Sequence, residues 1–140
     1  MNEWKMNIFA THEEDQTLAK NRPWPGDWFP GVALPCVKAM DRWIQVRYQD
    51  KTTFALVWDV GPWFIDDDPY VLGITRPIAE LYRGKPVDSD RKTPGIQPAT
   101  VQGKVVLSNG AGIDLFPFTA KLLGIPINKN VMVDWRFAEL

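Results

Sequence analysis

The stretch Phe54-Ala-Leu-Val-Trp-Asp-Val-Gly-Pro-Trp63 decides how the rest of the chain is read. It is an apolar, strand-like run that carries one carboxylate, Asp59, and stops at once on Gly61-Pro62. A carboxylate in such a setting is costly unless it is paired, neutralised or put to use. Working backwards, Arg42-Trp-Ile-Gln-Val-Arg-Tyr48 alternates with period two, Ile44 and Val46 against Gln45 and Arg47, which predicts a strand. Gln49-Asp50-Lys51 supplies a tight turn, and Thr52–Val60 is the return strand of a hairpin.

The chain of 140 residues is long enough for one domain with a real core. A net charge of −1 gives no field that would draw nucleic acid or an anionic membrane, and neither is expected as a partner. No apolar run approaches the roughly 18–20 residues needed to span a bilayer. The first residues, MNEWKMNIFATHEEDQ, place an acidic cluster where a signal peptide has its apolar core. A single cysteine, Cys36, precludes an intrachain disulfide, and a single histidine, His12, argues against a histidine-based metal site. No cofactor is expected.

Twelve prolines and ten glycines favour short elements and many turns. Residues 1–20 have irregular apolar spacing, with room for a short helix. Residues 21–36 hold four prolines and read as a Trp/Pro loop. Residues 64–103 are turn-rich and polar, with one or two helical turns in Pro77-Ile-Ala-Glu-Leu-Tyr-Arg-Gly84. Long loops in compact domains are often functional. Val105-Val-Leu107 suits a short strand. Ser108-Asn-Gly-Ala-Gly112 is a Gly-rich turn into Ile113-Asp-Leu115. Pro117–Leu123, closed by Gly124, has the punctuation of a short helix, and Asn130–Phe137 alternates as a last strand.

The order of hairpin, Asp-x-Gly-Pro, insertion, Gly-Ile-Asp-Leu, short helix, Leu-Gly-Ile and final strand resembles the double-psi β-barrel of the rare-lipoprotein-A and expansin-like families. The residues that carry it are Trp58-Asp59-Val60-Gly61-Pro62, Gly112-Ile113-Asp114-Leu115, Leu123-Gly124-Ile125 and Val131-Met-Val-Asp-Trp-Arg136, over roughly residues 31–140. Val60 stands where the family has a basic residue, and Phe116 where a serine would cap the helix. The resemblance implies a mainly β, six-stranded double-psi barrel with one or two short helices. Residues 1–30 would be an N-terminal extension and residues 64–103 a long insertion of one domain spanning 1–140.

In similar barrels, including those of related lytic transglycosylases, the aspartate of the later motif is the catalytic acid. That aspartate is Asp114, whose apolar neighbours Ile113 and Leu115 favour a raised carboxyl pKa. Its structural alternative is to accept hydrogen bonds from its own turn or cap the helix. Asp59 either completes a two-carboxylate pair or holds the barrel corner. Trp63 and Tyr70, with Trp58 and Asn109, are the candidate substrate-binding residues, set against a role covering the barrel mouth. Asp66-Asp-Asp68 offers oxygen ligands for calcium but matches no EF-hand loop and reads as a solvated turn, so no metal is expected.

The resemblance implies action on cell-wall polysaccharide, peptidoglycan foremost, by glycan-strand cleavage of lytic transglycosylase or glycosidase type. The alternative is a non-catalytic expansin-like or adaptor barrel that binds glycan or protein. A monomer is expected; its location stays open between the cytoplasm, export by another route and release from a longer precursor, with periplasm or cell wall as the target if it is exported.

Overall fold

The computed structural model describes residues 3–13, 18 and 22–138. The hairpin forms as the alternation predicts. Strand β3 (Trp43–Tyr48) pairs antiparallel with β4 (Lys51–Val60), from Trp43 opposite Leu56 to Tyr48 opposite Lys51. Gln49 turns the chain with a left-handed φ of 53°. The final strand, β8 (Val131–Phe137), lies antiparallel on the other side of β3.

Two further strands come from segments whose sequence hides them. Lys5–His12, expected outside the barrel and with room for a helix, is strand β1 and pairs antiparallel with β8. Its pairing register shifts between Lys5 and Ile8, around Asn7 at φ 54°. This irregularity scrambles the period-two signal, although Ile8 and Ala10 both point into the core. Gly31–Leu34, inside the Pro-rich stretch read as a loop, is strand β2, and all four residues are buried. A strand buried on both faces shows no polar alternation to read.

With β7 (Ile113–Leu115), these strands close a six-stranded barrel in the order β1-β7-β2-β4-β3-β8. β1 and β7 run parallel, as do β2 and β4; the other neighbours are antiparallel. Exchanging β1, β2 and β3 for β4, β7 and β8 leaves the order unchanged, so the barrel is internally two-fold in connectivity. The chain from β1 to β2 passes over β7, and that from β4 to β7 passes over β2. These are the two crossed connections expected of a double-psi barrel.

The core holds Val32, Leu34, Ile44, Val46, Val57 and Trp135, among others. Among the described residues three short α-helices accompany the barrel, one more than expected: α1 (Asp68–Val71), α2 (Ile78–Leu81) and α3 (Pro117–Leu122). Residues 64–103 are organised by buried carboxylates that accept backbone N–H bonds. Asp67 Oδ2 accepts from Ile78 N at 2.8 Å. Asp88 Oδ2 accepts from Ile96 N and Gln97 N at 3.0 and 3.1 Å, and these bonds hold its carboxyl below the usual range. A small satellite core of Phe64, Ala79 and Val87 lies beneath. A short hairpin of β5 (Thr100–Val101) and β6 (Lys104–Val105) follows it; the strand read at 105–107 thus starts earlier and ends sooner.

Candidate active site: an aspartate pair on the barrel's outer face

Ile113 and Leu115 face the barrel core, so Asp114 between them faces outward. Its partners across the sheet are Thr11 on β1 and Ala33 on β2. Asp59 reaches the same row by a less regular path. Val57 is in the core, and plain alternation would send Asp59 inward as well. Between Val32 opposite Val57 and Ala33 opposite Asp59 the register slips by one, with Trp58 the extra residue. A bulge of this kind re-aims the side chains after it. Asp59 thus joins Ala33 and Asp114, and the row across the outer face reads Thr11, Asp114, Ala33, Asp59. The two aspartates flank Ala33 on strands two spacings apart, about 9.5 Å between backbones. Ala33 between them is fully buried and Asp59 is only 6% exposed, so the row is largely covered.

Asp114 is partly buried, and its hydroxyl partner is Thr11, which donates to Oδ1. Burial pushes its carboxyl up to about 6. The Thr11 hydrogen bond opposes that shift, and the negative charge of Asp59 adds to it. Asp114 therefore holds a proton in mildly acidic solution, as a general acid must. Neither the turn Ser108–Gly112 nor the start of α3 takes this carboxylate. The buried Ser108 Oγ and Asn109 Oδ1 serve that turn instead, accepting from Gly110 N and Ala111 N. The residue preceding α3, Phe116, makes no side-chain cap.

The other candidate site residues separate. Trp63 and Asn109 come together: the indole Nε1–H donates to Asn109 Oδ1 at 2.8 Å. Trp63 follows the end of β4 and Asn109 precedes the start of β7. Because those strands run in opposite directions on either side of β2, both loops meet at one end of the barrel, beside the aspartate row. Tyr70 is a correction. It is fully buried, a core residue that cannot stack on a ligand. Its hydroxyl donates to Gly112 O at 3.0 Å and accepts from Trp135 Nε1 at 2.7 Å, tying α1 to β7 and β8. Trp58 anchors the loop before β2. Its Nε1–H donates to Pro23 O at 3.0 Å, Arg22 lies 4.3 Å over its ring, and Phe29 packs against it.

Asp68 is held by Lys38 at 2.9 Å and accepts from Cys36 Sγ at 3.1 Å. Burial and this neighbouring carboxylate push the Cys36 thiol up to about 11, which leaves it unreactive at neutral pH. Among the described residues no group of His, Cys, Asp and Glu is arranged to hold a metal. No helix among them is long and apolar enough to cross a membrane.

Thr11 is the site residue that sequence reading misses. It lies in β1, and only the parallel pairing of β1 with β7 brings it 103 positions along the chain to Asp114.

Residues 4–134 match the model of a family described as "Domain of unknown function (DUF8814)", and the chain belongs to that family. No curated protein matches the sequence.

Proposed function

We propose that this member of a family of unknown function cleaves polysaccharide strands, with Asp114 as general acid. The observation that carries the reading is the outward row Thr11–Asp114–Ala33–Asp59, which sets a proton-holding carboxyl beside a second carboxylate on one face of the sheet. Peptidoglycan is the substrate we favour, on the likeness of the two aspartate motifs to those of rare-lipoprotein-A-like barrels and related lytic transglycosylases.

In this reading Asp114 gives its proton to the glycosidic oxygen as the bond to the sugar's anomeric carbon breaks. The positive charge that develops on the sugar ring is stabilised by Asp59 from the neighbouring strand pair. The now ionised Asp114 then takes the proton from the hydroxyl of the same sugar that closes onto the anomeric carbon, so one residue serves as acid and then base. Thr11 donates to the oxygen that stays unprotonated and fixes the carboxyl's orientation. Trp63, held by Asn109, stands at the barrel end beside the row, where the glycan would pass.

The test is incubation of the purified protein with cell-wall sacculi. Release of soluble muropeptides by the wild type, lost in Asp114→Asn with folding intact, supports the proposal. Undiminished release by Asp114→Asn overturns the assignment of the acid. Sacculus binding without release by the wild type overturns catalysis and favours a glycan-binding barrel.

A further inference from the structure

A second feature lies on the other side of Thr11 from the aspartate row's loops. Between the loop that carries Trp24, Asp27 and Trp28 and the segment from α3 to Asn128 runs an open cleft of about 1160 Å³. This is at the upper end of, or beyond, the volume of small-molecule sites, and suits an extended ligand. The cleft is continuous in the chain with the aspartate pair. His12 on its wall follows Thr11, and Pro117 on its floor lies three residues from Asp114, about 10 Å along an extended backbone.

Its most unusual residue is Trp28. A tryptophan 71% exposed leaves a large apolar surface in water. The ring is nonetheless held. Phe118 of α3 meets it edge-on with centroids 5.4 Å apart, and the Lys121 ammonium sits 4.9 Å over the ring. With those two contacts and 71% still exposed, the remaining ring face opens to solvent. Trp24, deeper in the cleft, is fixed by stacking on the buried Phe116 at 5.1 Å and 13°. Exposed Asp27 and Asn128 supply polar groups at the rim, and two carboxylates, Glu13 and Asp27, line the cleft against one ammonium, Lys121.

A braced, open aromatic face among hydrogen-bonding groups that carry more acidic than basic charge disfavours a polyanion and does not select a purely apolar partner. It fits an uncharged ring with an apolar face and hydroxyl or amide edges. We infer that this cleft is a distal binding site for the N-acetylated sugar rings of a glycan strand, with Trp28 as its stacking platform. The inference rests on the glycan reading above and adds to it a site remote from the reacting bond.

The probe is the tetrasaccharide of N-acetylglucosamine, with binding followed by calorimetry on the wild type, Trp28→Ala, Asp27→Ala and Asp114→Asn. Both cleft positions are exposed, so neither replacement disturbs the core. Expected is measurable binding by the wild type, at least tenfold weaker in Trp28→Ala, several-fold weaker in Asp27→Ala, and retained in Asp114→Asn. Unchanged affinity in Trp28→Ala overturns the cleft assignment. It leaves the catalytic reading standing if the same wild-type protein still releases muropeptides. Trp28-dependent binding without release by the wild type supports the cleft and overturns the catalytic reading. Absence of binding to both tetrasaccharide and sacculi overturns both.

Discussion

Replacing Asp114 with asparagine keeps the size of the side chain and an oxygen that accepts from Thr11, while removing the charge. The carboxyl is raised from its ordinary 3.8 to about 6, chiefly by burial. The native state thus keeps a proton that the unfolded chain gives up, and it does so between about pH 4 and pH 6. Below that window this group costs the fold nothing. As pH rises through it, ionisation has to occur in the native setting, and stability falls. At about 1.36 kcal/mol per pH unit the whole penalty is about 3 kcal/mol above pH 6. The site is partly exposed, so solvent screening makes that an upper bound, with roughly 1–3 kcal/mol expected. Asparagine carries no such penalty. The difference in unfolding free energy, variant minus wild type, should therefore rise by roughly 1–3 kcal/mol between pH 4 and pH 8. For 140 residues an unfolding entropy of about 0.3 kcal/mol/K converts this to a gain of about 3–10 °C in Tm. Urea titrations and thermal melts at both pH values measure it. Taking the change between pH values cancels any packing effect of the amide itself. A change of zero, or one favouring the wild type at pH 8, would refute the reasoning, because it would mean that the charged carboxylate is welcome where it sits. A gain in stability with loss of activity is the exchange expected of a residue kept for function.

Muropeptide release should be fastest below pH 6 and fall about tenfold per unit above it as Asp114 loses its proton, which a pH–rate profile checks. Thr11→Val removes the hydrogen bond that opposes the raised pKa, so the upper limb of that profile should move to higher pH; movement to lower pH would contradict the role given to Thr11. Tyr70→Phe strands the buried Trp135 Nε1–H and Gly112 O, and should cost about 2 kcal/mol, or roughly 7 °C in Tm, without changing the pH profile of whatever activity remains. Gly31→Ala places a Cβ 2.6 Å from the ring of the fully buried Phe116 and should destabilise the fold by about 1–3 kcal/mol in urea titration, with Trp24 losing its stacked partner.

How much was legible in the sequence depended on whether the signal was local. The β3–β4 hairpin, β8 and α3 are each specified by residues within a few positions of one another. Period-two alternation, a two-residue turn, and a proline and glycine at the ends of the helix suffice. The two aspartate motifs also mark themselves, each a carboxylate among apolar residues beside a glycine. Asp114 is the proposed acid through the resemblance of its motif to those of related barrels, and its flanking Ile113 and Leu115 already implied burial.

The remainder required the barrel to close. β1 escapes sequence reading because its pairing slips around Asn7, and β2 because it is buried on both faces among prolines. Tyr70 looked like an aromatic at a mouth, but the fold draws α1 over the barrel and makes it a buried link between Gly112 and Trp135. Trp24 and Trp28 become a cleft only when α3 packs opposite their loop.

Asp59 shows the division most clearly. Its cost in an apolar strand is a property of the sequence, because charge and neighbours are written there. Its direction is not. One extra residue at Trp58 in the pairing with β2 decides that Asp59 faces outward, beside Asp114, rather than into the core. Pairing register is fixed by strands 26 and more positions away, so only the tertiary structure could set the two carboxylates side by side.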